Sequence, residues 1–265
     1  MKELPHAECI SGPNGEYSGD LASEKILLSR VATLSPAVVI GAVSPKKAAA
    51  AVQTFKSALA GFGGSLPEVH AFPIGGLETM LNGIHHIGDL VKKSQDAVGL
   101  TGRYRAQIMT WCDNFHDRMR NKKVTVISSI SPLRLAGTWI PDLIKLSGAH
   151  SQHVPDGAED SDTTWNEISA YRPDVLVLAP RGYALAETVK TLPMLTRVPT
   201  WEEIPAVKRG EVVFSDGFGM YEPGSRFLEG VSVLLSAVAG FEAGYISPRD
   251  LFFRLRYVEL HRHKF

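Results

Sequence analysis

Several groups of side chains in this 265-residue sequence have the chemistry to bind or transform a substrate. His85 and His86 are adjacent, and neighbours on a helix point about 100° apart, so the two do not chelate one ion together. His150 and His153 have metal-like spacing with Glu159 and Asp160 nearby, but they follow a helix end and read as a solvated polar loop. His261 and His263 belong to the basic tail LRYVELHRHKF and read as surface. Cys9 and Cys112 are too few for a zinc cluster or a disulfide framework and read as two unpaired thiols. The glycine-rich run GFGGS at 61–65 follows a helix, whereas a dinucleotide fingerprint follows a strand and opens one. There is no G-x-S-x-G elbow, H-E-x-x-H or P-loop. The residues do not read as an enzyme, and no metal site is expected.

Arginines interleaved with aromatics are more informative. Three loops follow three apolar strand-like runs in the second half of the chain. Residues 130–139 carry Arg134 and Trp139, residues 180–184 carry Arg181 and Tyr183, and residues 216–225 carry Phe218 and Tyr221. In open α/β sheets ligands sit beyond the carboxyl ends of the strands, which puts all three loops at one cleft. Aromatics around a broad, flat ligand give large contact area at low entropic cost. The expected binding set is therefore Arg134, Trp139, Arg181, Tyr183, Phe218 and Tyr221, with Trp139 facing the cleft. Trp165, on an amphipathic helix beside Ile168, reads as core, and Trp111 as structural. Trp201, at a strand end after TRVPT, reads as core or cleft wall.

The elements that position these loops repeat along the chain. Residues 24–41, EKILLSRVATLSPAVVIG, and residues 163–179, TTWNEISAYRPDVLVLA, each read as a short helix, a Pro that stops it, and a buried strand. A small-residue helix and a second extended segment follow in each half. This alternation predicts an α/β protein of two Rossmann-like lobes with parallel sheets. Residues 77–120 are nearly all helical in pattern and, unbroken, would run on the order of 60 Å, enough for a long helical spine joining the lobes. The expected organisation is an irregular segment (1–23), a reduced first lobe (24–76), the spine (77–121), a second lobe (122–240) and a tail (241–265). The second half has a strand at Val124–Ser128 and a helix at Trp139–Ser147 before its Pro, whereas only Gly-, Pro- and acid-rich residues precede residue 24. By its own symmetry the first lobe is incomplete, and an uncovered sheet edge predicts self-association or low stability.

Composition sets outer limits. With 44% apolar residues the chain has enough material for one large or two modest cores, and its formal net charge of zero argues against a nucleic-acid binder. No run approaches the ~20 residues of a spanning helix. The N-terminal MKELPHAECISGPNGEYSGD has no apolar signal core, so the chain as written stays where it is made.

Four stretches carry a family resemblance: GTWIPDLIKLSGA (137–149), WNEISAYRPDVLVLAP (165–180), IPAVKRGEVVFSD (204–216) and YEPGSRFLEGVSVLL (221–235). In order and at this spacing they resemble the periplasmic binding proteins that carry cobalamin and iron–siderophore complexes for ABC importers, the cobalamin branch most of all. ILLSRVATLSPAVVIG and the IGDL…LTG segment match more weakly, so that the resemblance spans roughly residues 24–240. The family's opening strand, first helix and signal peptide have no counterpart. Its PDV pattern reads Pro36-Ala37-Val38 here, its PGPR-like motif reads Pro223-Gly224-Ser225-Arg226, and an insertion lies around KKSQDAV. The resemblance implies non-catalytic binding of a corrinoid such as cobalamin, or of a related metal chelate, in an interlobe cleft, with no separate cofactor. It also implies docking on an ABC permease, for which Glu202 and Glu203 are candidate exposed carboxylates, and a periplasmic or cell-surface location if the N-terminus is truncated. Two other readings stay open: a chelatase-like tetrapyrrole enzyme, which needs a His and a carboxylate converging in the cleft, and a reduced relative acting as a scaffold.

Overall fold

In the computed structural model the chain divides into two compact units, Met1–Pro73 and Ile74–Phe265. The structure describes residues 21–43, 45–46, 48–61, 66–152, 154, 157–221, 227–239 and 252–255. The expectations for residues 1–20, Cys9, the glycine-rich run beyond Gly61, His153, the Pro223-Gly224-Ser225-Arg226 motif, His261 and His263 lie outside the described residues.

The first unit runs α1 (Leu21–Leu34), β1 (Val38–Val43), α2 (Ala48–Ala60) and β2 (Glu68–Pro73). Pro36 cannot continue α1, and Ser35 turns the chain out of it at φ 45°. The strands pair in parallel from Val38↔Glu68 to Val43↔Pro73. Leu28, Val31 and Leu59 form a small core against Val39 and Phe55. Sequence reading expects β1 to be buried on both faces, but Val38 and Ile40 are about two-fifths exposed (41% and 42%). Side chains alternate along a strand, and only the Val39 face of β1 meets that core.

The second unit opens with α3 (Leu77–Leu90) and α4 (Ser94–Met119). The continuous spine expected here is broken at Val91–Lys93, where Lys92 takes φ 57°. The two helices pack on each other, with Arg105 paired to Glu78 and the Thr101 hydroxyl 3.0 Å from His85 Nε2. Ile108, Trp111, Cys112, Phe115 and Met119 form the buried stripe of α4. Spacings of three and four residues put that stripe on one face.

There follow β3 (Lys123–Ile130), β4 (Leu133–Leu135), α5 (Ile140–Leu146), β5 (His150–Ser151), β6 (Ser161–Asp162), α6 (Trp165–Tyr171) and β7 (Val175–Leu178). The remainder is α7 (Leu185–Val189), α8 (Leu192–Leu195), a 3-10 turn (Trp201–Glu203), α9 (Pro205–Lys208), β8 (Val212–Ser215), α10 (Gly217–Met220), α11 (Phe227–Ala239) and β9 (Phe252–Leu255). The sheet order is β6-β4-β3-β7-β8-β9, with β5 on β3. β5, β3, β7 and β8 are mutually parallel, as expected. β4, β6 and β9 are antiparallel to their neighbours, so the sheet is mixed and not purely parallel. A two-residue connection such as Ser131–Pro132 joins only antiparallel strands, since a parallel return needs a long crossover.

β7 and β8 are buried at every position, which is why they read as unbroken apolar runs. Their side chains alternate between two cores. Val175, Val177 and Val213 meet Trp111, Leu143, Ile144 and Leu234 on one face. Leu176, Leu178, Val212 and Phe214 meet Ile168, Leu195, Trp201 and Ile204 on the other. α6 begins with a reciprocal cap between Thr164 and Glu167 and ends at Arg172, in the left-handed region just before Pro173. α11 is buried at Phe227 and from Gly230 to Ala239, with Leu228 half-buried, and packs among α4, α5 and the sheet. No described helix is long and apolar enough to cross a membrane.

Candidate functional site

At the carboxyl ends of β3, β7 and β8 three loops are locked together by backbone contacts. After β7, Arg181 N–H donates to Ser128 O at 2.8 Å and Tyr183 N–H to Pro180 O at 3.1 Å, a turn that places Gly182 at φ 75°. After β8, the Asp216 carboxylate caps α10 by accepting from Phe218 N–H at 2.6 Å and Gly219 N–H at 3.3 Å. The two loops join where Gly217 N–H donates to Tyr183 O at 2.9 Å. A Cβ at Gly217 would stand 1.8 Å from Pro180 O, so glycine is required for this approach. After β4, Gly137 meets the incoming segment to β6 just as closely, a Cβ there falling 2.4 Å from Ala158 O. Thr138 N–H donates to that same oxygen at 2.7 Å.

Asp160 joins these loops chemically. Its Oδ2 accepts from Arg181 Nε at 2.7 Å, and its Oδ1 accepts from Arg181 Nη2 at 2.9 Å and from Gly137 N–H at 2.8 Å. Burial pushes the carboxyl pKa up, but the paired guanidinium and the Gly137 N–H outweigh it and hold the group below its ordinary range. The Arg181 guanidinium lies over the Tyr221 ring, 3.9 Å from its centroid. Tyr221 is itself buried, which raises its phenol pKa far above the usual value, and its hydroxyl has no hydrogen-bond partner among the described residues.

The two loops that carry four of the six expected residues are therefore bonded to each other. Arg181 and Tyr221 stack, and Tyr183 and Phe218, 43% and 37% exposed, rise from the two bonded loops beside them. Arg134 does not join them, because its Nε pairs with Asp162 Oδ1 at 2.8 Å across β4 and β6. Trp139 is a correction to the sequence reading. It is 3% exposed, its indole N–H donates to Met220 O at 3.4 Å, and its edge meets Phe227 with centroids 5.7 Å apart. Trp139 packs in the core beneath the loops instead of facing outward, because α11 brings Phe227 against it. Trp201 is also core, 1% exposed and edge-on to Trp165.

Sequence reasoning missed Asp160 as a member of this cluster. The only signal was an acid in a loop next to the Arg-bearing loops, and it was read beside His150 and His153 as a solvated group. Among the described residues no group of three His, Cys, Asp or Glu side chains is placed to hold a metal ion. The arrangement is a cation over an aromatic ring, held by hydrogen-bonded loops that also carry the exposed Tyr183 and Phe218.

No protein-family model matches the chain, and no curated protein matches it in sequence. Solved structures match it in fold. An ABC transporter substrate-binding protein from Listeria monocytogenes superposes with TM-score 0.64 at 18% identity, covering 79% of each chain. S. aureus IsdE complexed with heme gives TM-score 0.65 at 16% identity, covering 80% of each chain. The periplasmic vitamin B12 binding protein BtuF of Vibrio cholerae gives 0.59 at 12% identity, covering 80% of this chain and 77% of that one. The chain has the α/β fold of these three proteins.

Proposed function

We propose that this chain is a non-catalytic solute-binding component of an ABC importer, and that it takes a flat metal macrocycle, a corrinoid such as cobalamin first among them. The observation that carries this reading is the wall at the carboxyl ends of β7 and β8. There Tyr183 and Phe218 are exposed on hydrogen-bonded loops beside an arginine fixed by Asp160 and Tyr221. Exposed aromatics on a stiff support give contact area with little ordering cost, which is what a broad apolar ring system requires. Arg181, tied to Asp160 and covered by Tyr221, stiffens the loop that carries Tyr183. The wall lies where open α/β sheets place their ligands. A permease is the partner this reading implies, with the exposed Glu202 and Glu203 of the 3-10 turn as docking carboxylates.

The test is titration of the intact chain with cobalamin and, separately, hemin, followed by visible absorption and calorimetry. Cobalamin is expected to bind, and Tyr183→Ala and Phe218→Ala are each expected to weaken it by about tenfold without changing the fold. Hemin binding without cobalamin binding would keep the carrier and change the ligand. If a natively folded chain binds neither, the carrier reading is wrong.

A further inference from the structure

A cavity of about 420 Å³ opens between the start of α6 and residues 194–200, and it shares no residue with the Arg181 cluster. Trp165, Met194 and Val198 form its apolar wall, and Trp165 is held in place edge-on to the buried Trp201. Two polar features at this wall are not used by the fold. Arg197 lines the cavity and makes no side-chain ion pair or hydrogen bond among the described residues. The carboxylate nearest in the chain on α6, Glu167, is committed to Thr163 and Thr164 in the helix cap. The second feature is the Thr200 hydroxyl, which is buried and has no partner among the described residues. A buried hydroxyl without a partner has lost its water for nothing in return, and a ligand that engages it recovers part of that cost.

We propose that this cavity is a binding site for a small planar aryl carboxylate. The aromatic ring lies against Trp165, with the Met194 thioether and Val198 alongside, and the carboxylate meets Arg197. The Thr200 hydroxyl donates to the same acid group. An uncharged ring would satisfy the wall but leave the cation and the hydroxyl unused. A phosphate would satisfy the cation but leave the apolar wall wet. The size fits, since sites for small organic ligands span roughly 300–1,000 Å³.

The probe is naphthoate, with naphthalenemethanol as the uncharged isostere, titrated into the intact chain and followed by isotope-edited NMR. Naphthoate is expected to shift the Trp165 indole and Thr200 amide signals together. Arg197→Gln should weaken it by about fivefold while leaving naphthalenemethanol unchanged, and Thr200→Val should weaken it by about twofold. Both side chains can be changed without opening a core, since Arg197 is exposed and valine is isosteric with threonine. The proposal is overturned if naphthoate moves neither signal at roughly 10 mM, or if Arg197→Gln leaves its affinity unchanged. Signals from residues 181–183 and 216–221 report the other wall separately, so failure at one site is distinguishable from failure at the other.

Discussion

Arg181 stands face-on to Tyr221, 3.9 Å from the ring centroid, while two hydrogen bonds from its edge close on Asp160. The ring and the carboxylate together fix the guanidinium. The pair is largely withdrawn from water, with side chains 24% and 13% exposed. Breaking one partner leaves the other desolvated and alone. Arg181→Ala is therefore expected to destabilise the chain by about 2–4 kcal/mol, and Asp160→Asn by about 1–3 kcal/mol, in urea denaturation at neutral pH.

The same pair sets an acid dependence. The folded-state pKa of Asp160 is depressed, so its stabilisation is complete above the unfolded-state value and disappears as pH falls through the folded value, below 3.8. The stability gap between wild type and Asp160→Asn should be widest near neutrality and close on the acid side of the carboxylate range. A gap that widens on acidification would show that the carboxylate is not held in its charged form.

Trp139 separates core packing from ligand contact. Removing a buried indole that meets Phe227 edge-on should cost about 3–5 kcal/mol of stability, read from denaturant midpoints. An unchanged midpoint for Trp139→Ala, with weakened ligand binding, would mean the ring does not fill the core.

Tyr221 is expected to tolerate loss of its hydroxyl but not of its ring. Tyr221→Phe keeps the surface beneath Arg181 and deletes a buried, unpartnered oxygen, so stability should change by less than about 1 kcal/mol. Tyr221→Leu removes the stack and should cost about 1–2 kcal/mol more than Tyr221→Phe in parallel thermal melts.

Gly217 is predicted to be intolerant of even one added carbon. Gly217→Ala drives a Cβ into Pro180 O and must part the two loops that carry Tyr183 and Phe218. A loss of about 1–3 kcal/mol is expected, together with changed amide signals across residues 180–184.

Much of the second unit can be read from the sequence, because its central strands carry their own evidence. VLVL at Val175–Leu178 and VVFS at Val212–Ser215 are apolar at nearly every position, as strands covered on both faces must be. The cap at Thr164 and Glu167 and the stop at Pro173 likewise mark α6 from both ends. β4, β6 and β9 were not legible, since none is a continuous aliphatic run like β7 and β8 and each is too short to show an alternation. The loops carrying Arg181, Tyr183, Phe218 and Tyr221 followed from where those strands end. Which way each side chain points did not. Arg134 and Arg181 look alike in sequence, and it is the pairing of β4 with β6 that turns the first toward Asp162. Trp139 points inward because of α11, an element far along the chain.

The position of α11 also bears on how the protein is made. Phe227 to Ala239 fill the space among α4, α5 and the sheet, yet they follow α4, α5 and β3 to β8 in the chain. A ribosome delivers residues in order, at about 5–20 per second, so every earlier element of this core emerges with an apolar face still open. For that interval Trp111, Leu143 and Val177 lack the surface they finally bury against. Protection of α4 against proteolysis should therefore arrive abruptly once α11 has emerged and can pack on it.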